Sequence, residues 1–323
     1  MSVKDDISAI LEQRRGEYVS GQELADRLGC TRGAIWKAVR TLQQQGFGIS
    51  AVTNKGYCLA PDSDVLSEGG VRKYLDGCEG MQINVYSSVG STNDVLKELA
   101  AKGAPEGTTV IAAQQTGGKG RLGRSFFSPQ GTGLYLSILL KPDIEVTKAV
   151  RITTCAALAV CEAIEKHTDK KPQIKWVNDV YIRGRKVCGI LTEASLSMES
   201  GGVDYAVLGI GVNVYKPDGD FPEEIRDIAG AVTDIRSADL KNRLAGSIIS
   251  SFMRYYRDIS KGSFFKDYSR RLMWKGEQIC VISGNNRTSC RLIDVDEECR
   301  LKVQLPSGEQ RLVSSGEISI RKI

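Results

Sequence analysis

The chain has 323 residues, of which 41% are hydrophobic, so it is long enough for two or three domains with cores of their own. A net charge of +5 excludes a basic nucleic-acid coat, and a single histidine, His167, predicted to be solvated at a helix end, argues against histidine-dependent catalytic triads. Nine scattered cysteines without a CxxC pair argue against a zinc site or disulfides, and no segment resembles a signal peptide or membrane span, so we expect a soluble cytoplasmic protein with no membrane partner.

Three short helices and a hairpin are predicted in the first 60 residues. Ser20 followed by Glu23 forms a capping box that begins the second helix, and Gly29 can end it. Thr31 caps the third helix, and residues 49–59 are typical of a hairpin. The core-facing stripe of the third helix is Ile35, Ala38, Val39 and Leu42. This order predicts a winged helix-turn-helix.

The exposed face of the third helix and the hairpin tip are basic. Residues 27–60 contain five basic side chains and no acidic one, a pattern that indicates a polyanion site. The residues predicted to contact DNA are Arg32, Trp36, Lys37, Arg40 and Lys55. A small helical domain that binds protein is the alternative.

Beyond a linker predicted at residues 61–64, the chain mixes strands and helices. Strands are predicted at residues 83–86, 108–113, 133–140, 174–176, 180–182, 186–192 and 203–214, the last one broken by Gly209 and Gly211. Helices are predicted from Thr92 onward, over 146–167 and over 240–258. Short β runs at 278–283, 290–294, 300–305 and 310–313 predict a small closed β barrel at the carboxyl end.

The run Gly117–Arg124 is the most informative motif, because four glycines alternate with three cations in eight residues. Glycine lets backbone N–H groups approach a ligand closely, and lysine and arginine donate to phosphate or carboxylate. The spacing is neither that of a P-loop nor that of GxGxxG. The run therefore predicts a loop that closes over an anion by another scheme, with a solvated basic surface loop as the alternative.

Three further motifs can complete one anion-handling site with this loop. They are Ser91-Thr92-Asn93 at a strand-to-helix junction, Lys175-Trp176-Val177-Asn178-Asp179 followed by Lys186–Ile190, and Gly209-Ile210-Gly211-Val212-Asn213. Taken singly, they are also compatible with a plain N-cap, a turn and a β-bulge. Glycines two apart in a strand share one face, where a ligand can press against the backbone.

In these motifs and their order, the sequence resembles the bifunctional biotin–protein ligases that also act as biotin repressors, along almost its whole length. The resemblance implies an α+β protein with a winged helix-turn-helix DNA-binding domain at 1–62, a mixed α/β ligase domain with a β-sheet core at 63–272, and an SH3-like β barrel at 273–323. It implies an ATP-dependent biotin–[biotin carboxyl-carrier protein] ligase that forms biotinyl-5′-AMP. The implied partners are the biotin carboxyl carrier domain of acetyl-CoA carboxylase and other biotin-dependent carboxylases, operator DNA, and a second copy of the chain on adenylate or DNA binding.

The resemblance also implies residue roles. Lys186, Arg121 and Arg124 are the expected catalytic residues, with Lys186 bridging the biotin carboxylate and the α-phosphate. Biotin is expected to contact Ser91, Thr92, Asn93, Gln115, Gly118, Lys119, Arg121, Lys186, Gly189, Gly209 and Gly211. The nucleotide is expected to contact Lys119, Arg121, Arg124, Phe126, Lys175, Asn178, Asp179 and Asn213, with Asp179 as a Mg²⁺ ligand.

Three positions depart from the family pattern. Lys119 stands where arginine is usual, Val177 where proline is usual, and Phe126 where a tryptophan usually helps to cover the nucleotide. The alternative enzyme is a lipoate–protein ligase, and the alternative of another class is a transcription factor whose ligase-like domain only senses a small molecule.

Overall fold

The computed structural model describes residues 3–196, 203–315 and 318–322. The amino-terminal unit consists of helices α1 (Val3–Gln13), α2 (Gly21–Leu28) and α3 (Arg32–Gln44), followed by strands β1 (Ile49–Val52) and β2 (Gly56–Leu59). The two strands pair antiparallel, with Asn54 at positive φ in the turn. The predicted winged helix-turn-helix is confirmed.

The caps of these helices act largely as the sequence predicts. Ser20 Oγ accepts a hydrogen bond from Glu23 N, Gly29 ends α2 in the left-handed conformation, and Thr31 Oγ1 accepts from Ala34 N. The capping box is only half made, because the Glu23 carboxylate accepts from Arg14 instead of reaching back to Ser20. Ile35, Val39 and Leu42 are buried as predicted.

A seven-stranded mixed sheet forms the centre of the molecule. Its strands are β3 (Ile83–Tyr86), β4 (Thr109–Ala112), β5 (Gly133–Leu140), β6 (Gln173–Lys175), β7 (Asp179–Ile182), β8 (Arg185–Leu196) and β9 (Val203–Asn213). They lie in the order β3-β4-β5-β9-β8-β7-β6, with only β3 and β4 parallel among the described pairs. The predicted break at Gly209 and Gly211 is wrong, because β9 runs through both glycines with unshifted pairing to β5.

Five helices surround this sheet within the described residues. They are α4 (Glu68–Arg72), α5 (Thr92–Ala101), α6 (Val150–His167), α7 (Leu240–Arg257) and α8 (Phe265–Arg270). Residues 146–148 form a separate 3₁₀ turn, so the predicted helix begins later than expected. His167 is half-buried rather than solvated, since its Nε2 lies 2.8 Å from Ser247 Oγ on α7. None of the described helices combines the length and apolarity required to cross a membrane.

The carboxyl end forms a second antiparallel sheet. Its strands are β10 (Gln278–Ser283), β11 (Asn286–Val295), β12 (Leu301–Gln304), β13 (Gln310–Val313) and β14 (Ile318–Lys322), in the order β13-β12-β11-β10-β14. The sequence predicted the first four and missed β14. Within the described residues the edge strands β13 and β14 do not pair with each other, so hydrogen bonds do not close the expected barrel.

A buried polar junction joins α1 to the central unit. Glu12, 1% exposed, accepts from Arg15 at 2.6 Å and from Lys73 at 2.8 Å. Arg15 also donates to Asp239 at 3.0 Å. The segment predicted as a linker is anchored here as well, because Asp64 accepts from the Tyr215 hydroxyl and from Lys241 N.

Candidate functional site

A cavity of about 50 Å³ lies where the start of α5, the loop of residues 117–124 (the glycine-basic loop) and strands β8 and β9 meet. All four motifs singled out in the sequence reach it. The lining residues are Ser91, Thr92, Asn93, Gln115, Lys119, Gly120, Arg121, Phe126, Asn178, Lys186, Gly189, Ile190, Leu191, Gly209, Ile210 and Gly211.

The start of α5 is organised by Gln115 rather than by a side-chain cap. Ser91 occupies the N-cap position, but its hydroxyl makes no capping hydrogen bond. Gln115 Oε1 instead accepts from Thr92 N at 2.9 Å and from Thr92 Oγ1 at 3.0 Å. The backbone brings these residues together, because Gly117 N donates to Gly90 O. The plain N-cap interpretation is therefore wrong, and the triplet belongs to the cavity.

A carboxylate that the sequence analysis did not single out holds Asn93 in place. Glu193 on β8 accepts from Asn93 Nδ2 at 2.7 Å and from Lys97 Nζ at 2.6 Å. Partial burial opposes ionisation of Glu193, but these two hydrogen bonds outweigh it and keep the pKa of this carboxyl below its usual value. Ser137 Oγ on β5 donates to Asn93 Oδ1 at 2.6 Å and completes the network.

The glycine-basic loop folds back on itself as a small hairpin. Phe126 N donates to Gly118 O at 2.9 Å, and Gly120 N donates to Arg124 O at 2.7 Å. Leu122 lies at the tip with φ of 58°. Two cations tie this hairpin to its surroundings. Lys119 binds Asp94 on α5 at 2.6 Å, which raises the pKa of the lysine, and Arg121 Nη1 donates to Asn178 Oδ1 at 3.1 Å.

The three strand glycines leave room for neighbouring groups on one face of the sheet. A Cβ built on Gly209 would lie 2.3 Å from Asn93 Oδ1, and one on Gly211 would lie 2.5 Å from Phe126 Cε1. A Cβ on Gly189 would lie 3.1 Å from Phe126 Cε2. The Phe126 ring therefore rests on the backbone of β8 and β9, among residues expected to contact biotin. The bulge interpretation of Gly209 and Gly211 is wrong.

Lys186 is aimed into the cavity by an irregularity in its strand. The pairing of β7 with β8 shifts between Val180 and Tyr181, opposite Lys186, and such a bulge redirects a side chain. Lys186 Nζ lies 2.7 Å from Asp179 Oδ1. The cation is thus held beside a carboxylate at the cavity wall.

Not every predicted site residue reaches the cavity. Gly118, Arg124, Lys175, Asp179 and Asn213 lie outside its lining. Lys175 Nζ lies 5.6 Å from the Tyr181 ring and 5.4 Å from the Trp274 ring, and its burial lowers the pKa of this ammonium group. Asn213 Nδ2 donates to Gly230 O.

The residues do not fit a magnesium site built by the protein. Within the described residues, no three acidic, histidine or cysteine side chains stand close enough together to hold a metal. Asp179, the expected ligand, is engaged by the ammonium group of Lys186, and the neighbouring Asn178 Oδ1 accepts from Arg121.

Ser137 and Glu193 are the site residues that the sequence analysis missed. Ser137 stands among apolar side chains in the fully buried strand Gly133–Leu140, where a polar residue needs a partner and is a usable signal. Glu193 carries no such signal, because strand β8 has other polar residues beside it and is only partly buried there.

Comparisons with known proteins agree along the chain. The model of the biotin/lipoate A/B protein ligase family matches residues 85–213, that of an HTH domain matches 4–58, and that of the biotin protein ligase C terminal domain matches 276–321. The bifunctional ligase/repressor BirA of Bacillus subtilis is 33% identical over 97% of this chain and 98% of its own length. The protein of the same name from Escherichia coli is 33% identical over 62% of this chain and 60% of its own. The biotin protein ligase from Aquifex aeolicus, solved with biotin and ATP, superimposes with a TM-score of 0.62 at 28% identity over 75% of this chain and 99% of that one.

Proposed function

The chain belongs to the family of bifunctional ligase/repressor BirA proteins, and from this premise we propose how its residues divide biotin ligation and transcriptional repression between the two ends of the molecule. It is a biotin–protein ligase that uses biotin and ATP. The observation that carries the assignment of the site is a cavity whose lining brings Lys186 and Arg121 together with Thr92, Gln115 and the strand glycines.

Biotin binds at the α5 end of this cavity in our proposal. Thr92 and Gln115 offer hydrogen-bonding groups to the ureido ring, and Gly209 and Gly211 let the ligand lie flat on β9. A volume of about 50 Å³ is far below the ~300 Å³ of a small ligand pocket, so the Phe126 ring has to move outward when biotin enters.

The first chemical step is attack of a biotin carboxylate oxygen on the α-phosphorus of ATP. The new P–O bond gives biotinyl-5′-AMP as the bond to pyrophosphate breaks. Two anions must approach, so Lys186 lowers the barrier by lying between them, and Arg121 balances charge from the other wall. Asp179 acts through Lys186 by holding the ammonium group at the cavity wall.

The second step is attack of a carrier lysine amine on the acyl carbon of the anhydride. An amide bond forms, AMP leaves and the amine loses a proton. Closing the hairpin of residues 118–126 over the adenylate shields the anhydride from water. Mg²⁺ would be bound by the ATP phosphates, whose negative charge it would partly neutralise.

Biotin-dependent exchange of pyrophosphate into ATP, followed by transfer of labelled biotin to a purified biotin carboxyl carrier domain, tests this assignment. We expect both activities with biotin and neither with lipoate. Lipoate-dependent exchange would make the chain a lipoate ligase, and absence of exchange with either acid would leave only a ligand sensor.

The amino-terminal unit binds operator DNA in our proposal, with Lys37 and Lys55 at phosphates. A single winged helix contacts one half-site, so a palindromic operator calls for two copies of the chain.

The adenylate tightens DNA binding by favouring this dimer. Operator affinity and sedimentation mass, measured with ATP, biotin, both or neither, test the coupling. Equal values in all four conditions would leave a ligase with a constitutive DNA anchor.

A further inference from the structure

An exposed tryptophan lies at the centre of the basic face of α3. Trp36 is 55% exposed, whereas Trp176 is 4% exposed and Trp274 is partly buried against the core. An indole exposed on an otherwise polar helix face is available to pack against a partner.

The surroundings of Trp36 indicate that the partner is nucleic acid. Arg32, Lys37 and Arg40 share its exposed helix face, and no acidic residue occurs between positions 27 and 60. A protein surface that complements this face would need to be strongly acidic, whereas DNA carries negative phosphate charge along its whole length.

The position of Trp36 within α3 places it at base edges rather than at the phosphate backbone. The helix begins at Arg32, so Trp36 lies in its second turn, and recognition helices contact bases through their amino-terminal residues. Arg40 Cζ lies 5.3 Å from the centre of the indole ring. This cation–π contact covers part of the ring and leaves the remaining apolar surface toward the groove.

We propose that Trp36 determines operator specificity by packing its indole against a thymine methyl group in the major groove. The thymine C5-methyl is the apolar group that base pairs present there, and side-chain carbon atoms recognise it by contact. The inference rests on the proposed DNA-binding role of this unit and adds the chemical group that it reads.

The test begins with duplexes that the full-length protein, with biotin and ATP, selects from a random-sequence library. In the selected duplex, each thymine is replaced in turn by deoxyuridine, which lacks only the methyl group. We expect about a fourfold loss of affinity at one or two thymines in each half-site, the value of one buried methyl-sized group. Trp36→Ala should bind the parent duplex at least fourfold more weakly and should no longer distinguish thymine from uracil.

Two matched variants separate the methyl contact from other roles of Trp36. Trp36→Phe keeps an apolar ring without the indole N–H and should keep most of the thymine preference. Lys37→Ala should weaken binding to all duplexes alike and reduce its salt dependence, as loss of a phosphate contact does. Thermal unfolding of each variant checks that the domain folds.

Four results would overturn the inference. The first is a deoxyuridine substitution that leaves the affinity unchanged at every position, and the second is a loss of affinity that is as large in Trp36→Ala as in the parent protein. Sensitivity only to 7-deazaguanine, which lacks N7, would show that the indole N–H reads guanine instead. Failure to select any sequence would remove the DNA-binding role itself and favour a protein partner, an outcome distinct from binding that ignores the methyl group.

Discussion

At the scale of single residues, the proposed chemistry depends on the contact between Lys186 and Asp179. The pair lies 2.7 Å apart at the cavity wall, with side chains that are 28% and 19% exposed. A preorganised cation in a partly dry site stabilises developing charge more than a mobile cation in water does.

Lys186→Ala should therefore lower the rate of adenylate formation by ~10²–10³. Single-turnover synthesis of the adenylate measures this step alone. Lys216→Ala is the matched control, because Lys216 is exposed and binds Asp220 outside the cavity, and its rate should stay within about twofold of the parent. An unchanged rate in Lys186→Ala would falsify the role assigned to it.

Gly211→Ala should weaken biotin binding, because its Cβ would occupy the face of β9 on which biotin is proposed to lie, a face so close-packed that this Cβ would already meet Phe126 Cε1 at 2.5 Å. Overpacking of this kind costs about 1–3 kcal/mol. Calorimetric titration with biotin measures the effect. Gly80→Ala is the control, since its Cβ would meet nothing within 4 Å. Parent-like affinity in Gly211→Ala would show that biotin does not lie on this face of β9.

At the scale of elements, the basic hairpin and helix α6 each carry a prediction. The hairpin presents Arg121 to the cavity, whereas the Arg124 side chain is exposed beside it. The two arginines therefore differ in their distance from the cavity, although the motif in the sequence does not distinguish them.

Arg121→Ala should speed release of the bound adenylate by about tenfold or more, the value of a hydrogen bond to a charged group. Arg124→Ala should have the smaller effect. Release of labelled adenylate is measured beside thermal unfolding, which should change little for either variant. A large loss of stability with unaltered release would make the hairpin a structural element only.

His167 should make the free energy of unfolding depend on pH between about 4 and 6.5. Burial, together with the positive charges of Arg243 and Lys166, lowers the pKa of His167 from 6.5 to about 4. Between these two values the imidazole is protonated in the unfolded chain and neutral in the folded chain. Stability should fall as the pH drops through this window, by about 1 kcal/mol from pH 7 to pH 5 after allowance for partial exposure. Urea unfolding of His167→Gln at both pH values should lack this part of the loss. Equal pH dependence in the variant and the parent would contradict the assignment.

At the scale of the whole molecule, the amino-terminal and central units are joined by the buried ion pairs of Glu12, Arg15, Lys73 and Asp239. Removing one partner of a buried ion pair leaves the other charge without compensation, which costs more than the loss of an exposed pair. We therefore expect removal of the amino-terminal unit, which takes Glu12 and Arg15 away from Lys73 and Asp239, to destabilise the central unit.

Deletion of residues 1–62 should abolish operator binding, lower the thermal midpoint and leave biotin transfer measurable, because the cavity residues all follow position 90. Arg15→Ala alone should cause much of the same decrease in the thermal midpoint of unfolding. Arg14→Ala is the control on the same segment, since its partners Glu17 and Glu23 are exposed. A folded truncated chain without transfer activity would show that the amino-terminal unit is required for the chemistry.

The sequence by itself determined the elements that local rules govern. The caps at Ser20 and Thr31, the hairpin at 49–59 and the bounds of β5, β10 and β13 follow from turn chemistry and from periodicity within a few residues. The same local rules misjudged Gly209 and Gly211, because pairing on both sides keeps a central strand continuous where propensity alone predicts a break. They also missed β14, whose short strand exists through its pairing with β10.

Only the tertiary structure decided which chemical groups meet. Asn93 and Glu193 are 100 positions apart, and Arg15 and Asp239 are 224 apart, so no spacing rule in the sequence connects them. The motifs predicted a common anion site, but the fold decided that Phe126 lies on Gly211, that Asp179 holds Lys186 and that Lys175 lies beside aromatic rings instead. The physical reason is that residue types and local periodicity specify elements, whereas the packing of distant elements against one another sets the distances on which catalysis depends.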